Sequence, residues 1–171
     1  MVELLKNWPV DQPVPAISLR QPWASAVTLF GKDVENRSNW PFKHRGPLII
    51  QASATKPYRS DLELFLKLAR EDGATDDDLA DISSESYPLN LFPHGQLIAV
   101  VNLAAVLERD DDVPENHPAN ESPWADDEAN YWLYFSEAVA LVPVQYKGAL
   151  GMFKVPYDIA EKLEPIPLES G

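Results

Sequence analysis

The chain has 171 residues, 45% hydrophobic and 24% charged, a composition typical of one globular domain. No cysteine is present, which excludes disulfides, thiol nucleophiles and thiolate metal sites, and the spacing of His44, His94 and His117 matches no metal motif. No apolar run is long enough to span a bilayer and no signal-peptide pattern opens the chain. We therefore expect a soluble, cytoplasmic protein that needs no metal or other cofactor.

The net charge of −13 is unevenly distributed along the chain. Residues 1–60 contain eight Lys or Arg and four acidic side chains, a balance of +4, so the remaining 111 residues carry −17. An acidic protein is a poor binder of duplex backbones, because that binding depends on Lys and Arg neutralising phosphates. The basic N-terminal third nevertheless indicates a local anion site within an acidic molecule.

The first elements follow one another closely. Residues 1–15 contain three prolines and predict an extended lead-in, and the alternation that follows predicts a strand at 16–20. Apolar residues on one face predict a helix over 21–30, which Gly31 is suited to end in a left-handed cap. A short strand at 33–37 follows.

The remainder of the chain alternates strands with short helices. We predict a long acidic loop at 108–130 and two helices at 60–70 and 76–82. Further strands are predicted at 48–53, 96–107, 131–135, 138–142 and 147–155, with a brief helix at 157–162. The absence of a regular strand–helix–strand repeat favours the α+β class, as a small β-barrel of five to seven strands with two or three flanking helices.

The segment around the second strand carries the most chemistry. Glu35 and Arg37 share one face of that strand and Lys32 leads into it, so the three side chains can converge on one cleft. Arg37 is suited to hold a phosphate or a base edge in bidentate fashion, and a desolvated Lys32 can act as a general base. Glu35 can orient Lys32 or activate a water. The alternative is an exposed strand with an ordinary Glu35–Arg37 ion pair, worth about 0–1 kcal/mol.

Four further residues are candidates for binding a ligand. Trp23 and Trp40 offer rings on which bases can stack, although the position of Trp23 on an apolar helix face equally predicts core packing. Arg45 adds positive charge to the expected rim. Ser53 ends a buried strand directed at the same pocket, where it either binds the ligand or satisfies the strand end.

Several of these motifs occur together in a recognisable order. The segments ISLRQPWA at 17–24, GKDVENR at 31–37 and RGPLIIQAS at 45–53 resemble the opening of the ASCH domain family. The segments 95–101 and 148–153 are weaker matches to the family's central strand and closing hairpin. Each motif is short, and it is their joint order and spacing that makes the resemblance specific.

The resemblance implies a PUA-like β-barrel over residues 16–156, preceded by the lead-in 1–15 and followed by a short helix and tail at 157–171. Its cleft is expected to bind RNA, a nucleotide or a modified nucleoside. Relatives with assigned activities are N4-acetylcytidine amidohydrolases or ribonucleases, so a hydrolase is the alternative, and fold analogy does not choose between them. A protein-interaction module that uses the acidic loop is a third reading, and no obligate partner is inferred.

One departure from the amidohydrolase pattern affects the chemistry. In that branch, the catalytic group combines a lysine, a nearby threonine on the same strand and a glutamate further along the chain. Lys32 matches the lysine, but Glu35 stands at the threonine position. A threonine-based mechanism therefore does not carry over, and the catalytic residues of an enzyme would be Lys32 and Glu35 acting through water. Glu137 is a distant candidate for the second carboxylate.

Overall fold

The computed structural model describes residues 1–83, 91–110 and 113–168. Positions 111–112 of the predicted acidic loop and 169–171 of the predicted tail lie outside this part of the chain. Within it, the strands are β1 (Val14–Leu19), β2 (Val34–Arg37), β3 (Gly46–Ala52), β4 (Gln96–Glu108), β5 (Tyr131–Gln145) and β6 (Met152–Val155). The helices are α1 (Trp23–Leu29), α2 (Arg59–Glu71) and α3 (Tyr157–Ala160), with short 3-10 turns at Glu3–Leu5 and Pro118–Glu121.

All six strands belong to one mixed sheet in the order β2-β5-β4-β3-β1-β6. Only the β1–β3 pair is parallel among these strands, with Ala16 opposite Ile49, and the other pairs are antiparallel. The predicted α+β class, with six strands and three flanking helices, is confirmed.

The long β4–β5 ribbon differs from the prediction of two separate strands at 131–135 and 138–142. β5 is continuous for 15 residues, and its pairing with β4 shifts register at three places between Leu97 and Ala105. Such irregularities let a strand bend without ending. The polar pair Ser136 and Glu137, which interrupts the apolar alternation, therefore lies inside the strand.

The two edges of the sheet, β2 and β6, are not paired with each other in the described residues, so the sheet does not close by backbone bonds. One face of all the central strands contributes to a common core, with Ile17, Leu48, Val101 and Leu133 among its members. Trp40, from the loop between β2 and β3, packs into the same core. Side chains thus fill the interior that a closed barrel would enclose.

The opposite face of the sheet is covered by both ends of the described chain. Val2 and Leu5 are buried in a second core that also contains Ala160 of α3 and Leu163. The segment expected to be an extended lead-in therefore contains a 3-10 turn that packs on the sheet.

The segment predicted as a helix at 76–82 forms turns. Thr75 and Asp78 exchange the hydrogen bonds of a helix cap, with Thr75 N to Asp78 Oδ2 at 2.7 Å and Asp78 N to Thr75 Oγ1 at 3.2 Å. These bonds hold the pKa of Asp78 below its usual range. The cap signal was correct, but the segment stays in turns while Leu79 and Ile82 reach the core, and so short a helix is costly to nucleate. No described helix has the length and apolar content needed to cross a membrane.

Candidate functional site

A pocket of about 820 Å³ opens between the end of β1 and the edge strand β2. Its volume lies within the range of small-molecule sites. The end of β1, both helices α1 and α2, β2 and the loop before β5 all contribute to it. We call it the seam pocket; it is lined by Ser18, Leu19, Arg20, Trp23, Lys32, Glu35, Asn36, Arg37, Asp61, Leu64, Leu68 and residues 123–128.

Lys32 lies at the inner end of the seam pocket because Gly31 turns the chain out of α1. Gly31 has φ +70°, the left-handed region that favours glycine, and Lys32 N donates to Ala26 O at 3.1 Å. Lys32 is only 4% exposed, and its Nζ donates to Val34 O and lies 3.5 Å from Glu35 Oε2. Burial lowers the pKa of Lys32, which Glu35 partly opposes.

Glu35 lies between two cations. Its Oε2 faces Lys32, and its Oε1 is 3.9 Å from Nε of Arg37. Arg37 donates from Nη2 to Ser18 O at 3.2 Å, while its Nε is buried and has no hydrogen-bond partner among the described residues. An unsatisfied buried donor is costly, and this one is shielded from solvent beside the Glu35 carboxylate.

The opposite side of the seam pocket is aromatic and apolar. Trp23 and Trp124 meet edge to face with ring centroids 6.5 Å apart, and Leu64 and Leu68 of α2 extend this wall. Trp124 is 2% exposed, and its Nε1 donates to Asp72 Oδ2 at 2.9 Å. The indole of Trp124 is therefore held both by its contact with Trp23 and by its hydrogen bond to Asp72.

Residues 123–128 complete the lining, and we call the segment 122–128 the acidic strap. Asn36 of β2 holds the strap twice, because its Nδ2 donates to Trp124 O at 2.9 Å and its Oδ1 accepts from Asp126 N at 2.8 Å. Ser122 Oγ donates to Asp33 Oδ1 at 2.5 Å, and Trp132 Nε1 donates to Asp126 O at 2.8 Å. Asn36 and Asp33 lie on either side of Glu35 in the sequence. The same short segment therefore positions both the Glu35 carboxylate and the strap.

Arg20 completes the polar lining at the outer end of β1. Its Nη2 lies 3.2 Å from Asp61 Oδ2, and its guanidinium stacks on Tyr58 with 4.5 Å to the ring centroid. Both partners come from the start of α2, Asp61 within it and Tyr58 directly before it. This contact ties α2 to the pocket.

The sequence-predicted site residues fall into two groups. The structure brings Lys32, Glu35, Arg37 and Trp23 together in the seam pocket. Their side chains all contribute to the lining of this one pocket.

The structure places the other three candidates outside the seam pocket. Trp40 is 5% exposed in the core, with the Arg37 guanidinium 5.8 Å from its ring, because the loop turns its ring inward beside Phe42. Arg45 is exposed and donates to nearby carbonyls, including that of His44 at 2.9 Å. Ser53 Oγ accepts from Thr55 N, a satisfied strand end.

Ser53 lines a second pocket, of about 690 Å³, on the other side of Ser18. Gln51 is buried there; it accepts from Ser18 Oγ at 2.7 Å and donates to Tyr146 O at 2.9 Å. Glu137, the distant candidate for a second carboxylate, is exposed on β5 and lines neither pocket.

Sequence reasoning did not identify Trp124, Asn36, Arg20 or Asp61 as site residues. Trp124 carried a detectable signal, since a Pro-Trp pair inside an otherwise acidic stretch is unusual for a solvated loop. In residues 1–83, 91–110 and 113–168, no three His, Asp or Glu side chains are grouped as metal ligands.

Comparison with known proteins gives the fold its context. No protein-family model matches the chain, and no curated protein matches it. Among solved structures, the chain is similar to the crystal structure of ASCH from Zymomonas mobilis, with a TM-score of 0.50 and 10% identity over 90% of this chain and 97% of that chain. A mutant form of the same protein gives a TM-score of 0.48 at 10% identity, over 90% of this chain and all of that one. The first of these similarities shows that the chain has the ASCH-like fold that its motifs predicted.

Proposed function

We propose that the seam pocket binds a nucleoside unit, whether as a nucleotide, a modified nucleoside or a base of single-stranded RNA. The observation that supports this most directly is the convergence of Lys32, Glu35 and Arg37 on one pocket whose opposite wall is formed by Trp23 and Trp124. An aromatic and apolar lining beside a polar one suits a base, which has an apolar face and a polar edge.

The polar side of the pocket places an acceptor next to a donor. Glu35 offers carboxylate oxygens, and the guanidinium of Arg37, whose side chain is 25% exposed, lies beside one of them. The Watson–Crick edges of cytosine, adenine and guanine also carry donors and acceptors side by side, so one edge can meet both residues. The bases stack similarly, and this polar pair would supply the discrimination between them.

Affinity measurements on matched variants test this proposal. Isothermal titration with the four ribonucleosides, their 5′-monophosphates and a short single-stranded RNA is expected to reveal a binder. Glu35→Gln and Arg37→Ala each remove a charge-assisted hydrogen bond and should weaken binding about tenfold or more. Glu137→Gln and Arg45→Ala are the matched controls outside the pocket and should bind as the wild type does. Equal affinity in all five proteins would overturn the site assignment.

A second function, hydrolysis of an acylated nucleoside, is favoured by the environment of Lys32. Its amine is buried, its pKa is lowered by that burial, and Glu35 lies 3.5 Å away. A neutral amine can take a proton from water as that water attacks the acyl carbonyl; the amide C–N bond then breaks, the leaving exocyclic nitrogen receives the proton, and a carboxylic acid is released.

Turnover separates hydrolysis from binding. Incubation of N4-acetylcytidine with the protein should release acetate and cytidine. Mass spectrometry measures the cytidine formed. Lys32→Met and Glu35→Gln should each abolish release, while Glu137→Gln should not. If the wild-type protein releases no cytidine, the hydrolase proposal is excluded. The binding proposal is then decided by the affinity measurements.

A further inference from the structure

We propose that the acidic strap selects the charge of the ligand, so that the seam pocket prefers a nucleoside with a positively charged base and rejects phosphorylated forms. This inference rests on the proposed function and narrows its substrate class. It follows from how the charges of the pocket are paired.

The three cations that line the pocket in the described chain are already paired with carboxylates. Arg20 is paired with Asp61, and Lys32 and Arg37 share Glu35. A phosphate entering the pocket would have to compete with those carboxylates for every cation. The basic character of the N-terminal third therefore does not provide an available phosphate site here.

The carboxylates of the strap, in contrast, are not neutralised. Asp126, Asp127 and Glu128 are exposed at the rim, and no Lys or Arg within the described ranges makes an ion pair with them. The pocket lining thus carries five carboxylates against two arginines and the buried Lys32, so it is net negative whether or not Lys32 is protonated. Charge of one sign in a cleft raises the local concentration of the opposite sign and repels its own.

The strap is positioned firmly enough for this charge to matter. Asn36 and Trp132 hydrogen-bond to its backbone, and Glu128 N donates to Asp126 Oδ1 at 2.9 Å. The carboxylates therefore stay near the mouth. A cationic base is also attracted by the face of an aromatic ring, which Trp23 can provide on the opposite wall.

Two matched pairs of probes test the inference: guanosine with 7-methylguanosine, and cytidine with 3-methylcytidine, each pair differing by a methyl group and a positive charge at mildly acidic pH. The corresponding 5′-monophosphates are the anionic probes. Isothermal titration at low salt should show the cation binding tighter than the neutral nucleoside in at least one pair, by roughly fivefold or more, and the monophosphate binding more weakly than the nucleoside.

Two triple variants separate a local from a global charge effect. Two affinity ratios are compared: cationic to neutral nucleoside, and nucleoside to monophosphate. Both should fall toward one in the strap variant, Asp126→Asn/Asp127→Asn/Glu128→Gln. Both should be preserved in a control with the same net charge change away from the pocket, Asp77→Asn/Asp81→Asn/Glu161→Gln. Circular dichroism checks that both variants fold.

The outcomes are distinguishable. Equal affinities for cation, neutral nucleoside and monophosphate in the wild-type protein, or ratios that the strap variant leaves unchanged, would overturn the charge selection while the proposed function stands. If neither the wild-type protein nor the strap variant binds any of these probes, or any of the four ribonucleosides, their monophosphates and the short RNA, that result would contradict the proposed function itself, and the charge selection with it.

Discussion

Nη2 of Arg37 donates a hydrogen bond to the backbone carbonyl of Ser18 at 3.2 Å. Arg37 ends the edge strand β2, and Ser18 lies near the end of β1, past the residues that pair with β6, so this bond crosses the gap between two strands that do not pair with each other. The same guanidinium reaches Glu35 through Nε. One side chain thus bridges the gap and forms part of the pocket that the gap creates.

Replacement of Arg37 should therefore lower stability as well as affinity. Arg37→Met keeps much of the aliphatic stem but removes the bond to Ser18 O, and the free energy of unfolding should fall by about 1–3 kcal/mol. Urea denaturation measures this. Arg45→Met, which replaces an exposed arginine bonded to local carbonyls, should change stability by less than about 0.5 kcal/mol. Equal effects of the two substitutions would show that Arg37 does not bridge the strands.

The buried amine of Lys32 predicts a dependence of stability on pH. Its pKa in the folded protein lies below its ordinary value of 10.5, so between the folded pKa and 10.5 the unfolded chain binds a proton that the folded protein does not. Stability rises with pH wherever the unfolded state binds more protons.

The unfolding free energy of the wild type minus that of Lys32→Met should therefore increase as pH rises through that window toward 10.5 and decrease as pH falls. Urea titrations in steps from about pH 7 to about pH 10 measure it. Lys43→Met controls for the loss of a positive charge at an exposed position. A difference that stays flat, or one that decreases with pH, would contradict the assignment of a lowered pKa to Lys32.

Trp124 should contribute both to stability and to the binding wall. Trp124→Phe keeps an aromatic ring but loses indole volume and the bond to Asp72, so unfolding should become easier by about 1–3 kcal/mol. Asp72→Asn retains an acceptor oxygen and should cost less than about 1 kcal/mol. Nucleoside affinity should fall in Trp124→Phe and not in Asp72→Asn; the reverse order would mean that the ring does not contact the ligand.

Gly148 is predicted to tolerate no side chain. A Cβ there would lie 2.1 Å from Ser18 Oγ and 2.5 Å from Gln51 Oε1, the two atoms of a partly buried hydrogen bond. Gly148→Ala should destabilise the protein by about 1–3 kcal/mol. Ser18→Ala removes one of the clashing atoms, so the double variant should be less destabilised than the sum of the single changes, by about 0.5 kcal/mol or more. If the losses in unfolding free energy of the two single variants simply add in the double variant, Gly148 does not pack closely against Ser18.

The residues whose proximity could be predicted from the sequence are those brought together by local chain geometry. Lys32, Glu35 and Arg37 lie within six residues of one another, so the helix cap at Gly31 and the alternation of a strand suffice to bring them together. The element order and fold class were accessible for the same reason, since periodicity and turn residues act over short distances.

The other half of the pocket depends on long-range contacts. Trp124 lines the same pocket as Lys32 and Glu35, where its backbone carbonyl is bound by Asn36, 88 residues away in the sequence. No local sequence pattern specifies that pairing. Trp40 shows a different case: its ring was a candidate for stacking on a base, but the incompletely closed sheet left an interior that a large side chain had to fill.

The central claim, that the seam pocket is the ligand site, is tested most directly by mapping amide chemical-shift changes while the best-binding nucleoside is titrated into isotope-labelled protein. The account predicts changes concentrated at Lys32–Arg37, in the acidic strap and at the start of α1. Changes confined to the second pocket around Gln51 and Gly148, or absent throughout at saturating nucleoside, would contradict it.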